Sequence, residues 1–171
     1  GGVNGWGSLC GALNGAAGAI TLVAGKNEQG RLVNELMGWY TEAAFPSAES
    51  NRYARDRGFF VENMTFDREL PQAAPGSPLC HVSIARWCKA AGIGAGTPER
   101  QERCARLCGD VAAKAAELLN AWKDGAFIPK YAPKKEAAGC AACHAAGKDA
   151  AKKQTSVGKM QCLDCHAPHD L

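Results

Sequence analysis

The apolar positions of this 171-residue chain recur with helical rather than strand period, and they predict four helices. Trp6–Ala24 is uncharged and rich in small residues; Cys10, Ala12, Ala16, Ala17, Ala19, Ile20, Leu22 and Val23 fall within it. An uncharged run of this length invites a membrane span. Asn4, Ser8, Asn14, Thr21 and the interspersed glycines interrupt it, so a buried helix with close neighbours is the expectation. Glu28–Phe45 carries one apolar stripe, Leu32, Val33, Leu36, Met37 and Tyr40, and Pro46 ends it. Residues 47–78 read as irregular, with a short helix around Ser50–Arg57 and a loop marked by Pro71, Pro75 and Pro78. A third helix runs from Pro78 to about Ala91, with the proline in its first turn. Thr97-Pro98-Glu99 opens a fourth with a cap, an N1 proline and an acid, and that helix should stop at Gly125 after Lys123. Nothing alternates with period two for more than a few residues, which argues against a β-sandwich or barrel.

The expected fold is therefore all-α, a four-helix, cysteine-bearing domain over residues 1–128. Pro129 and Pro133 mark a linker into residues 129–171, a short and mostly irregular segment. With 46% hydrophobic and 22% charged residues, whole-chain disorder is excluded. Residues 1–129 carry 13 Lys and Arg against 13 Asp and Glu; residues 130–171 carry seven Lys against four acids and hold the whole net charge of +3. So mild a basic tail does not fit a nucleic-acid partner. The chain starts at Gly1 without Met, which reads as a processed or partial product.

Two motifs change the picture. Cys140-Ala141-Ala142-Cys143-His144 and Cys162-Leu163-Asp164-Cys165-His166 both have the CxxCH spacing of c-type haem attachment. Two thiols three residues apart reach the two vinyl groups of one porphyrin, and the following imidazole lies under the iron. A zinc ribbon also uses paired CxxC, but it does not need a His directly after each pair. Residues 136–171 lack the apolar side chains for a core, and two haem c groups would supply one. His144 and His166 are the proximal candidates, while His81 and His169 are the two spare histidines. That count fits two bis-His haems. His169 follows His166 by three residues and cannot reach the opposite face of the same haem, so as a ligand it would serve another iron. The alternatives are an exposed His169 near the C-terminus and a His81 that caps the third helix. Met37, Met64 and Met160 are rival ligands that would raise the potential, although Met in an apolar stripe is more often core filling.

Cys10, Cys80, Cys88, Cys104 and Cys108 remain. Cys104 and Cys108 stand at i and i+4 and share one helix face. Four of these five thiols could hold an iron–sulfur cluster; disulfides with one free thiol are the alternative. Haem attachment would place the chain outside the reducing cytosol, in the periplasm or beyond, where disulfides are permitted.

The stretch Gly5-Trp6-Gly7-Ser8-Leu9-Cys10-Gly11-Ala12-Leu13-Asn14-Gly15-Ala16 resembles the glycine-rich GxxCGALxGA segment of the redox-active family named for its C_GCAxxG_C_C pattern. Cys80 in Cys80-His81-Val82-Ser83-Ile84 resembles that family's third cysteine, and Cys108 resembles its last. The family's first cysteine would precede Gly1; Cys88 and Cys104 are additions that could replace it. Such a domain followed by two CxxCH motifs resembles the split-Soret cytochromes c of sulfate-reducing bacteria, over nearly the whole chain. The resemblance implies a tight homodimer, two closely stacked bis-His haems per chain, an axial ligand donated across the dimer, and an iron–sulfur site in the helical domain.

The expected function is extracytoplasmic electron transfer, because haem iron with both axial positions filled leaves no place for a substrate. A small dihaem reductase or peroxidase would need one open axial site and would show a high-spin ferric signal. A filament-forming conductive cytochrome would show polymers by electron microscopy. The redox partner protein is not legible in the sequence.

Overall fold

The computed structural model describes residues 2–58, 66–132, 140, 144, 159–164 and 166–167. The chain divides into two compact units, Gly1–Tyr131 and Ala132–Leu171. Among the described residues the first unit holds four helices: α1 (Gly11–Glu42), α2 (Ala48–Arg55), α3 (Cys80–Ala91) and α4 (Pro98–Lys123). Extended pairing among them is confined to two isolated antiparallel bridges, Leu9 with Leu79 and Phe45 with Ala73.

The two helices expected over Trp6–Ala24 and Glu28–Phe45 are one element, α1, bent at Gly25. Gly25 has φ 71° and ψ 177°, a conformation essentially reserved for glycine, so the break costs no loop. Helix α1 starts at Gly11 rather than Trp6, because Val3, Asn4, Gly5 and Gly7 all take positive φ and cannot extend a right-handed helix. Helix α2 lies two residues ahead of its expected place, and α3 begins at Cys80, after Pro78 rather than on it. Thr97 caps α4 as the sequence requires, accepting from the Arg100 amide with Pro98 in the first turn.

The core is the seam between α1 and α4. Leu13, Ile20, Leu32, Leu36 and Tyr40 meet Leu107, Val111, Ala115 and Leu118, all buried. The α4 set recurs at three- and four-residue steps, one face of one helix. Leu22 and Val23 of the uncharged run lie outside this seam, 87% and 61% exposed, so the run buries one face only. No described helix is long and apolar enough to cross a membrane.

Polar contacts fix the remaining pieces. Asp110 of α4 accepts from the Ser47 amide and from the Ser47 and Ser50 hydroxyls, which anchors the start of α2. Trp87 of α3 is fully buried and donates its indole N–H to the Pro71 carbonyl. Beyond α4, the Lys130 and Tyr131 amides donate to the Glu35 carboxylate, each at 2.8 Å. Gly38 leaves room for the Tyr131 ring, which a β-carbon there would overlap.

Candidate metal centres

The glycine-rich N-terminal segment runs antiparallel to the start of α3. The Cys10 amide donates to the Pro78 carbonyl at 2.9 Å, the Cys80 amide to Ser8 at 2.7 Å, and the His81 amide to Gly7 at 3.3 Å. The approach is close enough to require glycine: a β-carbon on Gly7 would stand 3.2 Å from that of His81, at a φ of 70°. The ladder sets Cys10 at the N-cap of α1 beside Cys80, the first residue of α3. Both thiols are buried, 8% and 7% exposed, and each sits at a helix N-terminus, where amide dipoles favour negative charge. His81, one residue on, is exposed.

Helix α4 adds Cys104 and Cys108 from one face, one half-buried and the other exposed. Burial pushes the Cys80 thiol up, and Cys10 and Cys104 push it further. Burial raises Cys108 as well, again with Cys10 and Cys104 acting on it. Four thiols from three elements thus form one electrostatic neighbourhood. Arg103 shares it and favours the ionised form of Cys80 and Cys108. The Arg103 guanidinium reaches the Cys104 sulfur at 4.0 Å and donates to the Ser83 hydroxyl at 2.9 Å. Ser83 accepts from the Tyr40 phenol as well, at 3.1 Å. Burial pushes the Tyr40 phenol far up, reinforced by the Cys10 thiol within hydrogen-bond reach.

Cys88 stands apart. It lies eight residues along α3 from Cys80, on the last turn, where its carbonyl accepts from the Gly92 and Ile93 amides. None of the described cysteines is in a disulfide. Among the described residues no three His, Cys, Asp or Glu side chains stand close enough together to hold a metal ion. The four thiols are therefore neighbours by field rather than at ligating distance. Their chemistry suits a soft metal or an iron–sulfur cluster, for which thiolate is the preferred donor.

The residues the sequence did not single out here are Arg103, Ser83 and Tyr40. A signal existed for Arg103: it stands four residues before Leu107 and so on the same apolar face of α4 as Leu107, Val111 and Ala115. A cation at a core position needs a buried partner.

In the second unit, Cys140 and His144 lie in helical backbone, and Cys162–Asp164 forms a single 3-10 turn. The His166 amide donates to the Cys162 carbonyl at 2.9 Å, which closes a helical turn over the second CxxCH motif. The Cys162 thiol is raised by what burial it has and by a hydrogen bond with the Cys140 thiol. Thiols followed by an imidazole one helical turn later are the donor set that a c-type haem uses. Cys143, Cys165 and His169 lie outside the described residues, as does Met64.

An all-helical domain that gathers cysteines from three elements is a redox-protein architecture, and residues 1–118 match the family model described as "Putative redox-active protein (C_GCAxxG_C_C)". The chain belongs to that family. It is also similar to the split-Soret cytochrome c of Desulfovibrio desulfuricans, at 35% identity over 170 residues, 98% of this chain and 57% of that protein. A solved structure of that cytochrome, presented as holding a novel iron centre, superposes with a TM-score of 0.77 over 96% of this chain and 65% of its own. The chain thus spans a little over half the length of the curated relative it matches.

Proposed function

We propose that this protein is an extracytoplasmic dihaem c-type electron carrier with an additional iron–sulfur site. The observation that carries the reading is the pair of CxxCH motifs in the small second unit. Cys140 and Cys143 attach one haem and Cys162 and Cys165 the other, as thioethers. His144 and His166 would be the proximal ligands, and His81 and His169 the distal ones. Held in this way by four histidines, the haem irons would have no position left for substrate or water. When bound, haem and iron–sulfur groups supply one-electron chemistry. The similarity to split-Soret cytochrome c along nearly the whole chain supports the reading.

The iron–sulfur site is assigned to Cys10, Cys80, Cys104 and Cys108. Of the two additional cysteines, Cys104 shares the electrostatic neighbourhood and Cys88 does not. Thioether attachment is made outside the reducing cytosol, which locates the protein in the periplasm or beyond. The function is carried between protein partners, among them a second copy of this chain.

The test is the intact mass of denatured protein together with an optical and EPR spectrum of the resting state. The expected mass exceeds the polypeptide by two haems, and the expected ferric signal is low-spin. A mass equal to the bare chain overturns covalent haem, and a high-spin signal overturns bis-His ligation.

A further inference from the structure

After α4 the chain turns back. Gly125 takes φ 70° in the turn, and the Ala126 amide donates to the Ala121 carbonyl at 2.8 Å. The segment that follows lies along the second half of α1. The Arg31 guanidinium covers the Phe127 ring at 5.5 Å. One oxygen of the Glu35 carboxylate accepts from both the Lys130 and the Tyr131 amide. The Tyr131 ring lies on Gly38, where any larger residue would lift it away. Burial pushes the Tyr131 phenol up, and the Glu42 carboxylate adds to this. Arg31, Glu35, Gly38 and Glu42 stand at i, i+4, i+7 and i+11, one line along the helix surface. That line rises roughly 16 Å, and residues 127–131 span roughly 13 Å when extended, so strap and track match in length.

The track ends where α1 meets the start of α3. Two residues past Gly38, the Tyr40 phenol donates to the Ser83 hydroxyl, and the Thr41 carbonyl accepts from the Gly76 amide. His81 stands two residues before Ser83 on α3 and is exposed. We propose that Glu35, with Gly38 and Tyr131, moors the start of the haem-bearing segment at the His81 end of the helical domain, and that Glu35 is the positioning residue. This deepens the dihaem reading, in which His81 is a distal ligand, and rests on it. From Tyr131 to Cys140 is nine residues, at most about 32 Å of chain; from the end of α4 at Lys123 it is 17 residues, or about 60 Å. Charge-assisted bonds from two successive amides hold the backbone itself, so the shorter reach is the one that applies. A short, fixed tether confines the first haem to a small volume around its anchor, which raises its effective concentration at His81.

The experiment uses the holoprotein and inserts the same Gly-Ser-Gly-Ser segment at two places, between Gly125 and Ala126 and between Ala132 and Pro133. A free tether is lengthened equally by both, whereas a moored one absorbs the first as a bulge ahead of the anchor. The first insertion is expected to leave the low-spin EPR signal and both haem midpoints at wild type. The second is expected to produce a high-spin fraction or to shift one midpoint. In Glu35→Ala, hydrogen exchange at the Lys130 and Tyr131 amides should rise roughly 10–100-fold, and a high-spin fraction should appear with helix content intact. Glu35→Gln, which keeps an acceptor oxygen, should stay nearer to wild type. Equal effects of the two insertions, or none from either, overturn the inference, as does unchanged amide exchange in Glu35→Ala. Where the first insertion lowers helix content, Glu35→Ala decides: released amides with wild-type haem signals overturn the mooring role. If His81→Ala stays fully low-spin at unchanged midpoints, the assignment of His81 as a ligand fails, and this inference with it, even where Glu35→Ala releases the two amides.

Discussion

Arg106 shows what a compensated buried charge is worth in this fold. Its guanidinium ties Glu102 of its own helix to Asn51 of α2 and to the chain after residue 65. Asn51 is itself fixed from both sides, with its amide nitrogen donating to the Leu70 carbonyl and its oxygen accepting from the Leu70 amide. Glu102→Ala should therefore cost about 3–5 kcal/mol, because it leaves Arg106 as an uncompensated buried cation. Replacing both members, Glu102→Leu with Arg106→Met, should cost markedly less, since the desolvated charges disappear together. Urea denaturation of the single and double variants measures both. Equal destabilisation in the two would show that the surrounding carbonyls, rather than the ion pair, set the cost.

Among the helices, Gly25 decides how α1 is built. It joins two segments whose apolar faces, Leu13 and Ile20 before it and Leu32, Leu36 and Tyr40 after it, both lie on α4. A straight helix of this length would rotate the second face away from the first, and the bend at positive φ corrects the phase. A β-carbon at Gly25 meets nothing within 4 Å, so bulk is not the obstacle. Gly25→Ala should still cost about 1–3 kcal/mol through backbone strain alone. Thermal unfolding reads this as a lower Tm. An unchanged Tm would mean that the bend relaxes into a regular helix without disturbing the seam.

At the scale of the whole molecule, the expected assembly is a homodimer with haems near its axis. Residues 136–171 have too few apolar side chains to cover two haems, and a self-complementary contact buries both copies of an exposed face at once. Burying a haem face removes apolar surface at about 25 cal/mol per Å², which amounts to several kcal/mol. Sedimentation of the holoprotein should give twice the chain mass. His169 is the first candidate for an axial ligand crossing between chains and His81 the second. His169→Ala should produce a high-spin fraction or a weakened dimer, and His169→Met should raise one haem potential. If both variants remain dimeric and fully low-spin at unchanged potential, His169 is not a ligand, and His81 takes the role.

The sequence alone determined the local features. The Thr97-Pro98 start of α4, the Leu32–Leu36–Tyr40 stripe and the helical class follow from periodicity and capping, which need no distant partner. The CxxCH motifs are equally local, because one turn of chain carries both the attachment points and the imidazole. The different surroundings of Cys104 and Cys88 were not local. Both stand on helices at plausible spacing from other cysteines, and the fold brings Cys104 near enough to act on Cys80 while it leaves Cys88 on the last turn of α3. The start of α1 was decided in the same way, because the glycine-rich segment gives up helical bonds for amide contacts with α3. Arg103 is the clearest case. A charge four residues before a core leucine looks like an ordinary helix residue until the fold removes its water and leaves the Ser83 hydroxyl and the Cys104 sulfur as its partners, and burial of that kind is a property of the assembled helices rather than of any segment.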